Sequence, residues 1–280
     1  MTSISTKRAL RQLEKIGLFM MGQTADICPA DKKLYALRDV TGTVPSQPLI
    51  VASIMSKKLA ENLDRLVLDV KFGSGAFMKT RAEAEELAAA MTAVGEQMGV
   101  QISHLLSAME APLGRTVGNA LEVAEAVETL QGRGPQDLVE LTLNLVAKVS
   151  TLRRAQFAKW LEDGTAWRKL VALVEAQNGD ASALERMGAL HSASIVRPVL
   201  APRSGVIARM DAEAIGRAAL FLGAGRAQAG DAIDFAVGCS QIKQLGEWVE
   251  KEEPLLFVHA RRESDLATAL PLLQDAARLT

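Results

Sequence analysis

LVLDVKFGSG (residues 66–75) joins a short apolar, β-branched run to the turn residues Gly73-Ser74-Gly75. The run predicts a buried strand over 66–70, and the sequence after the turn predicts a helix over 81–98. A second strand is expected near 100–106. A strand, a glycine turn, a helix and another strand in this order favour α/β layers with a largely buried sheet.

The sequence on both sides of this unit is mostly helical in pattern. A helix is expected over 4–16, followed by the loop-rich stretch GQTADICPADKK (22–33). Another helix should begin near Pro48, because proline is tolerated in a first helical turn, and end near Asn62. Further along the chain, helices are predicted over 118–131, 136–160 and 165–177.

The sequence changes character from about residue 196. Short β-like pieces alternate there with a helical stretch over 211–222. This pattern predicts a terminal α+β unit that packs on the sheet.

Composition excludes several classes of function. The chain has 280 residues, 49% of them hydrophobic, and 32 basic against 33 acidic side chains give a net charge of −1. No broad basic field predicts a nucleic-acid or membrane partner, and no run of about 18 apolar residues occurs. Cys28 and Cys239 lie far apart and outside any Cys/His cluster, so we expect reduced thiols and a cytoplasmic protein.

Three polar side chains stand out before the first strand. Arg38 lies in RDVTGTV and is expected in the loop before the next helix, on which Ser53 and Lys57 are four residues apart and share a face. Together they offer a guanidinium, a hydroxyl and an ammonium, which suit carbonyl oxygens. From these residues alone, a solvated Lys57, a packed Ser53 and a surface ion pair at Arg38 are the more economical interpretation.

A long stretch nevertheless resembles the family of thymidine and pyrimidine-nucleoside phosphorylases. The resemblance is carried by LRDVTGTVPSQPLIVASIMSKKLAENLDRLVLDVKFGSGAFMKT (37–80). It extends upstream through IGLFMMGQTADICPADKKLYALRD. Downstream it continues through APLGRTVGNALEVAEAVETLQGRGPQDL, GRAQAGDAIDFAVG and EEPLLFVHA.

The resemblance implies a nucleoside phosphorylase type of α/β fold. Its parts would be a small helical lobe, a mixed-sheet α/β lobe and a carboxy-terminal α+β, β-hammerhead-like unit. On this chain we expect a remnant of the helical lobe with a linker over 1–61, the α/β domain over 62–195 and the hammerhead-like domain over 196–280. The family is dimeric through its helical lobe, which implies a homodimer.

The resemblance also implies a reaction. Family members are pentosyltransferases that convert thymidine and phosphate reversibly into thymine and 2-deoxy-D-ribose 1-phosphate in pyrimidine salvage. Arg38, Ser53 and Lys57 match the residues that bind the pyrimidine ring. Positive donors aimed at the ring carbonyls stabilise the negative charge that bond cleavage leaves on the base.

A monovalent cation is implied by the PLG-x-x-VGNALEV-x-E pattern. The ligands would be the backbone carbonyls of Leu113 and Thr116 and the carboxylate of Glu125, all hard oxygen donors that suit a potassium ion. No organic cofactor is expected, and phosphate is the co-substrate. By sequence alone Glu125 would be an exposed helix carboxylate.

The phosphate-binding part of the family pattern is not found before Arg38. Family members carry a KHSTGG-like loop and an SGRGL-x-x-TGGT-D stretch there. We therefore expect little phosphorolysis from this chain alone. Two alternatives are that the chain is a non-catalytic pyrimidine-binding or regulatory remnant, or that it is one half of a split enzyme. The missing part would then be a separate chain.

The remaining motifs are interpreted as structural rather than catalytic. The Gly73–Gly75 turn could cradle phosphate, but a simple tight turn is favoured. His104, His191 and His259 show no catalytic or metal-ligand spacing. The GEWVEKEEPLLFVHA ending suggests a carrier module, yet it lacks an EAMKM-like motif and is interpreted as structural.

Overall fold

A computed structural model describes residues 4–22, 28–41, 43–226 and 231–280, without the side chains of residues 32, 35, 36 and 38–40. Its strands form one parallel and two antiparallel sheets among many helices. The mixed α/β class expected from the sequence is therefore confirmed. Among the described residues, no helix combines the length and the apolar character that crossing a bilayer requires.

Among the described residues of the first part of the chain, three helices precede the first strand. The elements in order are α1 (Thr6–Ile16), α2 (Pro29–Thr41), α3 (Gln47–Ala60), β1 (Arg65–Phe72), α4 (Arg81–Gln97) and β2 (Gln101–Ala108). A helical stretch follows with α5 (Asn119–Leu130), α6 (Gln136–Val149), α7 (Arg154–Glu162), α8 (Thr165–Ala176), a 3₁₀ helix (Ala181–Arg186) and α9 (Met187–Leu190).

The last part is an α+β unit. It contains β3 (Ile195–Leu200), β4 (Gly205–Met210), α10 (Ala212–Leu222), β5 (Gly238–Ser240), β6 (Trp248–Val249), β7 (Pro254–Ala260), α11 (Glu263–Ala276) and β8 (Ala277–Leu279). The strands form two antiparallel sheets, ordered β3-β7-β5 and β6-β4-β8. Both helices share a buried apolar cluster with these strands, in which Ile215, Val258 and Leu273 are almost fully buried.

The parallel sheet consists of β1 and β2. The two strands run in register from Arg65 opposite Gln101 to Phe72 opposite Ala108, and α4 packs against both of them. Thr80 fixes the start of α4, because its Oγ1 accepts from Glu83 N at 3.2 Å while the Glu83 carboxylate accepts from Thr80 N at 2.9 Å. The predicted order of strand, turn, helix and strand is confirmed. In the part of the chain that the structure describes, no third strand joins this sheet.

α3 packs beside this sheet. Its residues Ile50, Val51 and Met55 belong to the same buried cluster as Val70 of β1 and Leu87 of α4. The helix begins at Gln47 with Pro48 in its first turn and ends with lysines in its last turn, where the negative end of the helix dipole favours them. The helix predicted near Pro48 is confirmed.

Two expectations about helices are wrong. The stretch before Arg38 is not all loop, because α2 begins at Pro29 and includes Arg38. Proline lacks the N–H that a first helical turn leaves unpaired, and Asp31 in that turn favours the helix dipole. The single helix expected over 136–160 is two helices, because Ser150 leaves the helical conformation and its hydroxyl accepts from Leu152 N at 3.1 Å.

A buried amide fastens the amino-terminal helix to the rest. Gln177, at the end of α8, is 4% exposed, and its side chain accepts from Met20 N at 2.8 Å and donates to Met20 O at 2.7 Å. The Gln12 amide of α1 lies 3.2 Å from the same Gln177 oxygen. These bonds hold the start of the chain against α8.

Candidate active site

Ser53 and Lys57 form a hydrogen-bonded pair on α3. Lys57 Nζ donates to Ser53 Oγ at 2.9 Å, so the predicted shared face of the helix is confirmed. Ser53 is buried, whereas the Lys57 side chain is 29% exposed. An ammonium therefore stands beside a buried hydroxyl, both as hydrogen-bond donors to a ligand that reaches this face.

Asp31 is a member of this group that sequence reasoning missed. Its carboxylate lies 2.7 Å from Lys57 Nζ and is 9% exposed. Asp31 belongs to the first turn of α2 and lies 26 residues before Lys57, so the ion pair depends on how α2 and α3 pack. No helical spacing within one element could have indicated it.

Arg38 is only partly located. Its backbone lies in α2, which also carries Asp31, but its side chain lies outside the described residues. The expected meeting of Arg38 with Ser53 and Lys57 therefore stays a prediction.

An apolar cavity of about 570 Å³ opens next to this group. Ile50 and Ile54 of α3 line it, on the same helical face as Ser53 and Lys57, and Phe77 and Met78 form another part of its wall. Ser53 and Lys57 do not line the cavity themselves. An apolar cavity beside two aligned donors suits a flat, weakly polar ring that carries acceptor atoms at one edge.

The polar side of the cavity is an internal network. Lys71 Nζ lies 2.7 Å from Asp69 Oδ2 and donates to Ser107 Oγ at 2.9 Å. All three groups are partly buried on the parallel strands β1 and β2. Asp69 and Lys71 lie two residues apart on β1, so their side chains share one face of the strand and can form this ion pair.

The glycine turn after β1 is filled by a carboxylate of the chain itself. Ser74 N donates to Glu110 Oε2 at 3.3 Å, and Ser74 Oγ donates to Glu110 O at 3.2 Å. Gly73 has a φ of +117°, and a Cβ there would come within 2.7 Å of Glu110 Oε1. This is therefore a tight turn whose hydrogen bonds are made within the chain, as the sequence favoured. A phosphate would have to displace the Glu110 carboxylate.

The loop that the resemblance matches to a cation site lies against Glu125 of α5. Its Oε1 accepts from Arg115 N at 2.7 Å, and a Cβ on Gly114 would come within 2.2 Å of Oε2. Burial raises the pKa of Glu125, and the hydrogen bond from Arg115 N opposes that rise. The buried Thr116 Oγ1 makes no hydrogen bond of regular geometry to any described residue. It nevertheless lies close to the Glu125 carboxyl, and this proximity lowers the pKa of Glu125.

The carbonyls of this loop divide into two sets. Those of Pro112 and Gly114 accept from the Gln244 side chain, and those of Arg115 and Val117 accept from backbone amides. Those of Leu113 and Thr116 accept no hydrogen bond from the described residues. The two carbonyls that the resemblance implied as cation ligands are therefore open to another partner, and carbonyl and carboxylate oxygens are hard donors of the kind that such a cation accepts. The described chain contains no cluster of three His, Cys, Asp or Glu side chains for a metal.

Each of the three histidines has a side-chain neighbour. His259 Nε2 lies 2.8 Å from Ser240 Oγ, and burial lowers the pKa of this imidazole. His191 packs edge-on against Phe235, and His104 lies near Thr92.

Comparisons with known proteins cover most of the chain. Residues 3–179 match the family described as "Glycosyl transferase family, a/b domain", and residues 206–280 match "Pyrimidine nucleoside phosphorylase C-terminal domain". A protein of Bacillus subtilis (strain 168) named pyrimidine-nucleoside phosphorylase is 47% identical over 254 residues, which cover 88% of this chain and 59% of that protein.

Two staphylococcal proteins with the same name give similar values. The one from Staphylococcus haemolyticus (strain JCSC1435) is 43% identical over 270 residues, covering 93% of this chain and 62% of the relative. The one from Staphylococcus aureus (strain USA300) is 45% identical over 253 residues, which cover 87% of this chain and 58% of that relative. The chain thus spans about three fifths of the length of these curated relatives.

Proposed function

The chain belongs to the pyrimidine-nucleoside phosphorylase family, and we propose that it is the base-binding part of a phosphorylase that acts on thymidine or related nucleosides. The reaction would be reversible: thymidine and phosphate would give thymine and 2-deoxy-D-ribose 1-phosphate. The observation that carries the proposal is the Lys57–Ser53 donor pair beside the apolar cavity of α3.

The chemistry of the step suits these residue types. A phosphate oxygen attacks the anomeric carbon, the glycosidic bond breaks, and its electron pair leaves with the base, which then takes up a proton. Before that proton arrives, negative charge spreads from N1 onto the ring carbonyls. Lys57 and Ser53, with Arg38 as the third proposed donor, would hold this charge more strongly than the neutral nucleoside, which lowers the barrier.

Phosphate binding is proposed to come from residues outside this chain. The glycine turn is occupied by Glu110, so its amide is already used. In the described part of the chain, neither outer edge of the parallel sheet of β1 and β2 has a partner strand apart from a single bridge between Phe72 and Met78, and each could accept a further strand. Both observations support a partner segment, in cis or as a separate chain, that completes the site.

The test is release of thymine or uracil from thymidine or uridine in the presence of phosphate. We expect little or no turnover by residues 1–280, because correct placement of two reactants can account for about 7–11 kcal/mol of a barrier. We expect turnover when the remaining two fifths of a family member is supplied. Robust turnover by residues 1–280 alone would refute the division of the site.

The runner-up function is a non-catalytic pyrimidine-binding or regulatory protein. It shares the donor pair and the cavity, so base binding does not separate the two functions. Continued failure of turnover with the added segment, together with intact thymine binding, would favour the runner-up.

We further propose that Glu125 and the carbonyls of Leu113 and Thr116 hold a potassium ion. The open carbonyls and the partly buried carboxylate support this assignment. A cation here would tie the 113–116 loop to α5 and offset the cost of burying the carboxylate. Potassium should raise the melting temperature more than an equal concentration of tetramethylammonium, and Glu125→Gln should remove that difference.

A homodimer is proposed through the first helices. Leu10 and Leu13 of α1 and Leu34 and Leu37 of α2 are each 44–56% exposed, which leaves apolar side chains on both helices for a second copy to cover. Sedimentation at increasing concentration should show a dimer that Leu10→Glu weakens. A monomer at every concentration would refute this proposal.

A further inference from the structure

We propose that Asp31 is a positioning residue for base recognition, which acts by holding the Lys57 ammonium in the orientation that donates to Ser53. The inference rests on the proposed function and adds to it a residue that the sequence did not single out. Asp31 is not expected to touch the base, because a carboxylate would repel the negative charge that develops on the ring.

The geometry carries the first step. Lys57 Nζ lies 2.7 Å from Asp31 Oδ2 and 2.9 Å from Ser53 Oγ, and both Asp31 and Ser53 are less than a tenth exposed. A lysine side chain alone has many rotamers, and fixing it costs conformational entropy. The buried carboxylate on α2 supplies the second anchor that selects one of them.

The direction of the hydrogen bond between Lys57 and Ser53 is fixed by the chemistry of the two groups. An ammonium carries three N–H donors and no acceptor, so Ser53 Oγ must accept in the bond to Lys57. The single proton of that hydroxyl then points to some other acceptor. With Asp31 and Ser53 each taking one N–H, the third N–H of Lys57 has no partner among the described residues.

The result is a charged donor held at a fixed place beside Ser53. A pyrimidine ring that leaves as an anion carries its charge on N1 and on the two carbonyl oxygens, which accept hydrogen bonds, while N3 keeps its proton. The Ser53 hydroxyl can meet either kind of group, because it keeps one proton and one lone pair when it accepts from Lys57. Without Asp31, Lys57 could turn toward solvent, so Asp31 would set the place of the charged donor.

A ligand-free measurement tests the anchor. Brief acetylation of the folded protein, read by mass spectrometry, gives the ratio of reaction at Lys57 to that at Lys58. Lys58 is the internal reference, because it is the next residue of α3, is 39% exposed and pairs only with the exposed Glu61 among the described residues. We expect Asp31→Asn to raise the ratio severalfold, and an unchanged ratio would overturn the proposal.

A binding measurement tests the role. Calorimetry with thymine and with uracil compares the parent, Asp31→Asn, Lys57→Met and the double variant. We expect Asp31→Asn to weaken binding about tenfold, and the double variant to bind no more weakly than Lys57→Met alone. A merely structural role would add its effect in the Lys57→Met background, and that outcome would overturn the proposal.

The outcomes also separate this inference from the proposed function. If the parent binds neither base, the proposed function is refuted and the positioning role falls with it. If the parent binds and Asp31→Asn binds equally well, only the positioning role is refuted. Should Asp31→Asn not fold, Asp31→Glu replaces it: weaker base binding that disappears in the Lys57→Met background is expected, and parental affinity would overturn the proposal.

Discussion

Replacement of Lys57 by methionine removes the ammonium of the donor pair but keeps a side chain of similar length. Hydrogen bonds to charged groups contribute about 1.5–3 kcal/mol, so thymine should bind about 10- to 150-fold more weakly. The unfolding free energy should also fall, because Asp31 at 9% exposure loses the Lys57 charge. Since Lys57 itself is 29% exposed, we expect about 1–3 kcal/mol, below the cost of breaking a fully buried pair.

Lys58→Met is the matched control for this change. Lys58 neighbours Lys57 on α3 but pairs with the exposed Glu61, at 2.8 Å, and surface pairs of this kind contribute about 0–1 kcal/mol. The assay is calorimetric titration with thymine, accompanied by urea denaturation of each variant. The reasoning is refuted if Lys57→Met binds thymine as tightly as the parent, or if Lys58→Met loses as much affinity.

Three further predictions concern stability and reactivity. Thr80→Ala should lower the unfolding free energy by about 1 kcal/mol, because it removes the cap of α4. Backbone hydrogen bonds from Thr80 and Lys79 lower the pKa of Glu83, so the stability that this carboxylate contributes is present above its unfolded pKa and is lost as the pH falls through its folded pKa. Denaturation at several pH values would show this loss. Gly73→Ala should destabilise the fold, because its Cβ would meet Glu110, whereas Gly216→Ala within α10 has open space and should stabilise it by about 0.4–1 kcal/mol in the same melts. Burial raises the pKa of Cys239 to about 12, so iodoacetamide at pH 8 should modify the partly exposed Cys28 and leave Cys239 unmodified; equal labelling of both would contradict this.

Local patterns in the sequence predicted the elements that depend on local causes. The apolar run of β1, the glycines of the turn and the cap at Thr80 are each marked by residue types that are adjacent in sequence, so neighbouring residues are enough to indicate them. The spacing of Ser53 and Lys57 likewise follows from helical geometry alone. The break at Ser150 is also local, but it was missed because apolar periodicity continues across it.

Contacts between distant elements could not be read in this way. Asp31 meets Lys57 because α2 packs on α3, and Glu110 fills the glycine turn because β2 ends beside β1. Both depend on the direction of side chains across elements that are 26 and 36 residues apart in sequence. The sequence alone therefore indicated the Ser53–Lys57 pair but missed the carboxylate that lies against Lys57.

The bonds between Gln177 and Met20 have a consequence for how the chain folds. One side-chain amide donates to and accepts from a backbone peptide, as a neighbouring strand would, and closes a loop of 157 residues. Such a closure is entropically expensive and needs the end of α8 in place first. We expect α1 to dock late in refolding and to open first under native conditions, so that the Met20 amide exchanges its hydrogen well before the amides of β1.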